Sequence, residues 1–353
     1  KTIFLFIPNY VYSSDFLRTD FIKYLTSKFR VVVFAPSDLL GDGKPYFQSS
    51  NLIYVNWNVQ YPKFWILFGK FLRYCLIRKY DFEPVVKRSR SKKLGDWRKS
   101  VLRIFSYLLP KGLITPDLFT KMEIIFLPES KLFSEYVEKY KPDIVVTPTP
   151  GFTHSDAEAI ILAKKAKIPT AAINFSWDNL HNGGIHFRRV DNMIVWNEII
   201  KNTAVNNYGY SDEQVFASGP MRFDGYFKDN VDKVPREEFL KSKNLDSNKK
   251  TILLTTVTKG NYPEEHLLLD ELLKARERGA IEGYPNIFVR MHPKEEVEKF
   301  TRFVDTGIKN LHVEKAGKHR AVKLGSNIEL DEDDLLNAKH TLKYSDVVIK
   351  YAS

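Results

Sequence analysis

The stretch FVRMHPKEE, residues 288–296, places three cation-capable side chains at alternate positions. Arg290, His292 and Lys294 follow strand-like residues, and Pro293 interrupts the strand pattern. Side chains two positions apart point to the same side of an extended chain. Fixed cations at a strand end stabilise the negative charge that a phosphate leaving group develops. The pattern predicts a phosphate-binding group, and a solvated basic strand end is the alternative.

Two further segments have the residue types of a phosphate site. In TTVTKGNY, Thr258, Lys259 and Gly260 follow a strand, and the glycine allows close approach of the backbone to a phosphate. Ser353 follows the strand-like VVIKYA and is placed to cap a helix, whose free amides bind phosphate. For the first segment, the alternative is an ordinary turn with a solvated lysine. For Ser353, the alternative is a simple helix cap without a phosphate.

Polar residues also cluster at two loops of the first half. SWDNLHNGG supplies Asp178, Asn179, His181 and Asn182 as candidates for lining a cleft, with local turn hydrogen bonds as the alternative. His154 lies in TPTPGFTHSDAEA, just before a helix. Open α/β sheets bind ligands at the carboxyl ends of their strands, which is where both loops are expected.

Alternating strand-like and helix-like segments position these residues. Apolar runs such as TIFLFIP, RVVVFAP, NLIYVNW and DIVVTPTP alternate with segments of helical spacing. Apolar, β-branched strands that alternate with helices predict a parallel sheet covered on both faces. A second series starts at KTILLTTV, so we predict an α/β fold with two Rossmann-like domains and a cleft between them.

The predicted boundaries follow changes in composition. We expect an N-terminal domain over 1–222, with a basic aromatic insertion at about 60–112 that is helical but interrupted by Pro84 and Gly95. A polar linker with one short helix follows over 223–248, and a C-terminal domain covers 249–353. No helix follows the last strand, so we expect the second domain to be truncated at its C-terminus.

Composition limits the class of protein. The chain has 353 residues, of which 43% are hydrophobic and 27% charged, which favours packed domains. The single cysteine, Cys75, excludes an internal disulfide or a cysteine metal cluster and fits a reducing compartment. TIFLFIP is too short for a signal peptide core and is expected to be a buried first strand. No run reaches the length of a membrane span.

The net charge of +11 is unevenly distributed. Positions 63–111 contain fourteen Lys or Arg and three acidic residues, interleaved with Phe, Trp and Tyr. Basic amphipathic segments with large apolar residues suit anionic lipid headgroups. The segment contains no nucleic-acid-binding motif, so we expect no nucleic acid partner. The alternative is a solvated helix face whose apolar stripe lies in the core.

Five segments in fixed order indicate a family. FSWDNLHNGG, VDNMIVWNEIIKN, VFASGPMRFDGYF, VRMHPKEE and LKYSDVVIKYAS resemble GT-B glycosyltransferases of bacterial surface-carbohydrate biosynthesis, and more distantly CDP-glycerol glycerophosphotransferases. The resemblance covers about 143–353. It implies a nucleotide-sugar donor on the second domain, a glycan or lipid-linked acceptor on the first, and neither a metal nor a cofactor. It also implies that His292, in its His-Pro motif, meets the donor phosphates.

An inverting transferase needs a base for the acceptor hydroxyl, whereas a retaining one does not. The candidates are Asp15, Asp20, His154 and Asp178, and Asp15 is preferred because we expect it in a loop or first helical turn. Asp20 is expected to be solvated if it lies well inside its helix.

The leading hypothesis is a metal-independent glycosyltransferase that is cytoplasmic or peripheral at the inner face of the cell membrane. Three alternatives remain open. They are a CDP-glycerol or CDP-ribitol phosphotransferase, a UDP-N-acetylglucosamine 2-epimerase and a non-catalytic GT-B module that binds a glycan or partner.

Overall fold

The computed structural model describes residues 1–37, 39–40, 47–58, 63–79, 97–180, 188–227, 234–257, 264–293, 295–304, 307–319, 328–329 and 332–350. The chain divides into two compact units, Lys1–Arg222 and Phe223–Ser353. Each unit contains its own parallel sheet.

The first unit is built on a seven-stranded parallel sheet with the order β3-β2-β1-β4-β5-β6-β7. Its strands are β1 (Thr2–Phe6), β2 (Arg30–Ala35), β3 (Leu52–Asn56), β4 (Ile144–Thr147), β5 (Thr170–Ile173), β6 (Asn192–Val195) and β7 (Val215–Ala217).

Helices follow most of these strands. They are α1 (Tyr10–Phe16), α2 (Asp20–Lys28), α3 (Lys63–Lys79), α4 (Trp97–Leu108), α5 (Pro116–Phe126), α6 (Lys131–Tyr140), α7 (His154–Lys165) and α8 (Glu198–Tyr208). Two short 3-10 helices, Asp212–Gln214 and Met221–Phe227, flank the last strand.

The central strands are apolar along their whole length because helices cover both faces of the sheet. Every residue of β1 is buried. Phe6 stacks on Phe34 of β2 with ring centroids 4.6 Å apart, and Trp57 packs edge-on against Phe6 at 5.4 Å. This aromatic layer fixes β1 against β2, and β1 is one of the two strands between which the order of the sheet reverses.

The reversal lies between β1 and β4. Strands β1, β2 and β3 extend to one side, whereas β4 to β7 extend to the other. Ile3 pairs with Ile144, so the carboxyl ends of β1 and β4 lie side by side. A doubly wound sheet binds its ligand at such a point, because the following loops diverge there and leave a crevice.

The second unit has a four-stranded parallel sheet with the order β10-β9-β8-β13 and a two-stranded antiparallel sheet of β11 and β12. The elements are β8 (Thr251–Thr255), β9 (Asn286–Met291), β10 (Leu311–Lys315), β11 (Lys318–His319), β12 (Ile328–Glu329), β13 (Val347–Lys350), α9 (Arg236–Ser242), α10 (Glu265–Glu277), α11 (Glu332–Lys343) and the 3-10 helix Val297–Phe303. The predicted α/β class with two parallel-sheet domains is confirmed.

One predicted helix is divided in two. The spacing of DFLRTDFIKYLTSKF predicts a single helix, but the structure ends α1 at Phe16 and starts α2 at Asp20. Thr19 caps α2, its hydroxyl accepting a hydrogen bond from Phe21 N at 3.3 Å. The placement of Asp15 in a loop or first turn is therefore wrong, because it lies in the last turn of α1. Asp20 is exposed at the first position of α2.

The predicted linker and the basic aromatic segment both contain helices. Within the predicted linker, Phe239 of α9 is buried and stacks on Phe288 of β9, with centroids 6.3 Å apart. Within the basic aromatic segment, α3 and α4 form, whereas Pro84 and Gly95 lie outside the described residues. In the described part of the chain, no helix is both long and apolar enough to cross a bilayer.

Candidate functional site

Side chains from three segments meet at the carboxyl edge of the first sheet. Arg222, which follows β7, places its guanidinium 2.8 Å from the carboxylate of Asp15. The same guanidinium lies 4.1 Å from the ring centroid of Phe175, which follows β5, and Phe175 packs against Tyr12 of α1 at 4.6 Å. We call Tyr12, Asp15, Phe175 and Arg222 the sheet-edge cluster.

The position of Arg222 depends on how the chain leaves the last strand. β7 is at the edge of the sheet, and β6, β5 and β4 lie between it and β1. Arg222 also lies 5.6 Å from the ring of Trp196, which follows β6. The segment after β7 therefore runs back across the carboxyl ends of β6 and β5 to reach Asp15.

Asp15 is a carboxyl group that titrates near neutrality. Helix α1 is capped by Asn9, whose side chain accepts from Val11 N at 3.0 Å, and it buries Asp15 in its last turn. Burial raises the pKa of Asp15 to about 6, although the charge of Arg222 and its hydrogen bond oppose the rise. A base must be ionised at the working pH yet retain affinity for a proton, and this carboxylate meets both conditions.

Asp156 is a second buried carboxyl group at this edge. Thr153 caps α7, and Asp156 lies in the first turn of this helix. The hydroxyl of Thr149 donates to Asp156 Oδ2 at 2.5 Å, whereas Oδ1 has no hydrogen-bond partner among the described residues. Burial raises the pKa of Asp156 to about 7. Burial raises the pKa of Tyr12, and the nearby charge of Asp156 raises it further.

The loop between β4 and α7 is shaped around an arginine. Gly151 has a φ of +86°, and a Cβ there would lie 2.7 Å from Arg188 Cδ. Arg188 donates to Gly151 O at 3.0 Å and pairs with the buried carboxylate of Glu123. Burial and the charges of Arg188 and Lys70 lower the pKa of His154, which therefore remains neutral at physiological pH.

The loop after β5 holds Asp178 by local bonds. Ser176 donates its hydroxyl to Asp178 Oδ1 at 2.6 Å, and Asn174 donates its amide to Ser176 O at 2.9 Å. These are the turn contacts considered as the alternative for this segment, and they do not join Asp178 to the sheet-edge cluster. The neighbouring Trp177 is 56% exposed. His181 and Asn182 lie outside the described residues.

In the second unit, Arg290 is held by a carboxylate. Its guanidinium binds Glu314 of β10 and donates to Asp334 O at 3.2 Å. Glu314 also accepts from Lys243 at 2.7 Å and from the Asn337 amide at 2.6 Å. Burial would raise the pKa of Glu314, but hydrogen bonds from His312 and Lys243 and the charges of Lys243 and Arg290 lower it to about 2. The guanidinium of Arg290 is therefore already engaged by Glu314 and by the carbonyl of Asp334.

His292 follows β9 beside the end of β8. Its backbone N–H donates to Thr256 Oγ1 at 2.8 Å, which joins the ends of the two strands. The carboxylate of Glu265, at the start of α10, accepts from Val257 N at 2.7 Å. Thr258, Lys259, Gly260, Lys294 and Ser353 lie outside the described residues, so their phosphate-binding roles stay predictions.

Sequence interpretation missed Tyr12, Phe175, Arg188 and Arg222. Arg222 had a usable signal, because GPMRF follows the predicted strand VFA and parallel strands deliver their following loops to one edge. Arg188 and Phe175 had no comparable signal in the sequence. In the described part of the chain, no group of three or more His, Cys, Asp or Glu side chains is placed to hold a metal.

No protein-family model and no curated protein matches this chain. Three solved structures share its fold along its whole length. A proposed UDP-N-acetylglucosamine 2-epimerase from Listeria monocytogenes matches with a TM-score of 0.55 and 13% identity, over 100% of this chain and 74% of the other. The UDP-GlcNAc 2-epimerase of Methanocaldococcus jannaschii matches with a TM-score of 0.52 and 13% identity, over 100% and 79%. The Neisseria meningitidis UDP-GlcNAc 2-epimerase bound to UDP-GlcNAc matches with a TM-score of 0.50 and 14% identity, over 100% and 78%.

At these identities the likeness establishes the fold. It is an α/β chain with two Rossmann-like domains of GT-B type, which confirms the predicted fold class. The three similar proteins are described as enzymes of nucleotide-sugar metabolism.

Proposed function

We propose that this chain is a glycosyltransferase that moves a sugar from a nucleotide-sugar donor to a surface-glycan or lipid-linked acceptor. The observation that carries the proposal is the buried carboxylate of Asp15, with its raised pKa, at the carboxyl edge of the first sheet. It lies beside the strand-order reversal where such sheets bind ligands.

The chemistry assigned to Asp15 is proton removal in an inverting transfer. The acceptor oxygen attacks the anomeric carbon, the bond from that carbon to the diphosphate oxygen breaks, and the nucleoside diphosphate leaves. The hydroxyl proton passes to Asp15. Arg222 holds the carboxylate in one orientation and favours its ionised form, because its charge lowers the pKa of Asp15. Phe175 lies against the Arg222 guanidinium and packs on Tyr12, which places two aromatic rings beside the pair.

Exposed aromatic rings support a carbohydrate acceptor. Phe152 is 46% exposed and Trp177 is 56% exposed, and they follow the adjacent strands β4 and β5. A hydrogen bond of 3.1 Å from Phe175 N to Pro148 O ties the two loops together. A flat aromatic face packs against the C–H groups of a sugar ring, and the half-buried Asp178 is next in sequence to Trp177 to bind the sugar hydroxyls.

For the donor, we propose that His292 contacts the diphosphate, as the resemblance to GT-B transferases implies. Its place at the carboxyl end of β9 supports this role. Arg290 is a weaker candidate because Glu314 already occupies its guanidinium.

A UDP-GlcNAc 2-epimerase is the second candidate. The likeness of the whole chain to three epimerase structures favours it. An epimerase converts its nucleotide sugar without any acceptor, so the two functions are experimentally separable. The CDP-glycerol or CDP-ribitol phosphotransferase and the non-catalytic binding module remain alternatives.

The first experiment is thermal unfolding with UDP, CDP, GDP or CMP. A ligand at about 100 times its Kd adds about 2.7 kcal/mol of stability, which raises Tm by several degrees. We expect one nucleoside diphosphate to do so. No shift with any of the four would contradict both nucleotide-enzyme functions and leave the binding module.

The second experiment follows the matching nucleotide sugar with and without acceptor. Release of the nucleoside diphosphate only when a glycan or lipid extract is added supports the transferase. Conversion of UDP-GlcNAc to its 2-epimer without acceptor identifies the epimerase instead. Stabilisation by CDP or CMP alone, with release of CMP from CDP-glycerol, would identify the phosphotransferase.

A further inference from the structure

Helix α4 exposes a stripe that helices normally bury. Val101, Ile104, Phe105 and Leu108 recur at the spacing of one helical face, and they are 37%, 64%, 55% and 73% exposed. Among the side chains of α4 that the structure describes, the polar Ser106 is completely buried. The alternative for this segment, an apolar stripe that lies in the core, is therefore wrong for α4, and an exposed apolar stripe is typical of an interaction surface.

Neighbouring helices enlarge the exposed apolar surface. Helix α3 packs against both α4 and α5. Phe64 of α3, 65% exposed, stacks on Phe68 with centroids 5.9 Å apart, and Phe68 packs against Phe126 of α5 at 5.1 Å. Ile125 of α5 is 73% exposed. We call the stripe of α4 together with Phe64, Leu67, Ile125 and Phe126 the apolar helix surface.

Exposed cations accompany these apolar side chains. Lys70 follows Leu67 by one turn of α3, Lys121 lies one turn before Ile125 on α5, and Lys111 follows the end of α4; all three are exposed. Across positions 63–111 the sequence contains fourteen Lys or Arg and three acidic residues. The exposed acidic residue at the start of α5, Asp117, is paired with Arg189 at 3.8 Å.

This combination favours one class of partner. Anionic lipid attracts a surface with excess positive charge, and its acyl chains accept aliphatic side chains such as Ile104 and Leu108. A nucleic acid would use the cations and could stack bases on aromatic rings, but it offers nothing for aliphatic residues. A second copy of this chain would bring the same excess of positive charge to the contact, which is repulsive.

We propose that the apolar helix surface docks on an anionic membrane, with Ile104, Phe105 and Leu108 entering the boundary between headgroups and acyl chains. The surface is built without the sheet-edge cluster, so the docking can fail while the glycosyltransferase proposal survives with a water-soluble acceptor. If both hold, the enzyme works where lipid-linked acceptors are found.

The test is flotation of the purified chain with lipid vesicles and without nucleotide. We expect binding to phosphatidylcholine vesicles that contain phosphatidylglycerol, and much less binding to phosphatidylcholine alone. Because part of the attraction is electrostatic, binding should fall at least tenfold between about 50 mM and about 500 mM salt. Absence of flotation with the anionic vesicles at low salt would overturn the proposal.

Variants locate the contact. Ile104→Ser combined with Leu108→Ser should lower partitioning at least tenfold, since both side chains are already exposed and the fold does not need them. The matched control is Ile199→Ser, which removes a 72% exposed isoleucine from α8. Equal loss in both variants, or no loss in either, would contradict docking through α4. A dimer in light scattering that the double variant abolishes would assign the surface to a second copy instead.

Discussion

The guanidinium of Arg222 lies 2.8 Å from the carboxylate of Asp15, although 207 positions separate the two residues. The pair joins the helix after the first strand to the segment after the last strand of the same sheet. Arg222 is also the last residue of the first compact unit. The proposed catalytic base is therefore oriented by a side chain at the end of its own domain.

The first prediction concerns Asp15. Asp15→Asn should lower kcat about 100-fold or more, because the amide cannot accept the acceptor proton. Stabilisation by the nucleotide should persist. The control is Asp20→Asn, which changes an exposed carboxyl at the start of α2 that pairs with Lys23 at 3.5 Å. Steady-state kinetics on both variants decide the matter, and equal activities would remove Asp15 from the mechanism.

The pH profile tests the same residue independently. A base with a pKa of about 6 must be ionised, so kcat/KM should rise with pH through about 6. The linked effect on stability has the opposite sign. Because the folded pKa lies above the ordinary 3.8, this group favours the folded state below pH 3.8, and the contribution is lost as pH rises through about 6. Asp15→Asn should lack both changes.

Arg222 supplies the second prediction. Arg222→Ala should move the acidic limb of the pH profile above 6, because the charge and hydrogen bond that lower the pKa of Asp15 are lost. It should also cost about 1–3 kcal/mol of stability, because a buried carboxylate loses its partner. Arg222→Lys keeps the charge and should shift the limb less. A profile unchanged in both variants would show that the pair does not tune the base.

The third prediction uses two glycines with nearly the same backbone. Gly151 and Gly112 have φ values of +86° and +88°, but only Gly151 has Arg188 within contact distance of a Cβ. Gly112→Ala should cost about 1 kcal/mol for the left-handed conformation alone. Gly151→Ala should cost about 1–3 kcal/mol more, since Arg188 must move from Glu123. Urea unfolding of both variants measures the difference.

The fourth prediction separates donor binding from structure in the second unit. His292→Ala should reduce the nucleotide-induced rise in Tm by more than it lowers the Tm of the free protein, because the proposed role of the imidazole is to contact the donor diphosphate. Arg290→Ala should lower the Tm of the free protein, because the largely buried carboxylate of Glu314 loses one of its two cationic partners. Calorimetric titration with the nucleotide found in the first screen provides the affinities. A normal affinity in His292→Ala would remove that residue from the donor site.

Much of the fold was predictable because its signals are local. Apolar runs bounded by prolines and glycines predict the strands, and their alternation with helices predicts parallel pairing. The division after Phe16 was missed because the capping role of Thr19 is weaker in the sequence than the apolar spacing that continues through Phe21 and Leu25.

The candidate site was less predictable because its contacts are not local. Asp15 was identified from its position after a strand, but its partner Arg222 depends on the path of the chain back across the ends of β6 and β5. Arg290 was also identified from the sequence, but its structural partner was not. Its alternation with His292 predicts a cation at a strand end, whereas the sequence does not show that Glu314 of the neighbouring strand pairs with it.

The fifth prediction concerns the carboxylate of Glu314, which binds both Arg290 and Lys243 in a largely buried position. Glu314→Gln should cost about 3 kcal/mol at neutral pH, because two cations lose their counter-charge.

The folded pKa of Glu314, about 2, lies below the ordinary 4.5, so the stabilisation is present above pH 4.5 and is lost as pH falls towards 2. The variant should therefore lose less stability than the wild type as pH falls from 4.5 to about 2. Glu237→Gln, which breaks an exposed pair with Lys241, is the control and should behave as wild type in urea unfolding. Equal stability of the two variants at neutral pH would show that the Glu314 network does not stabilise the second unit, and would release Arg290 for a role in donor binding.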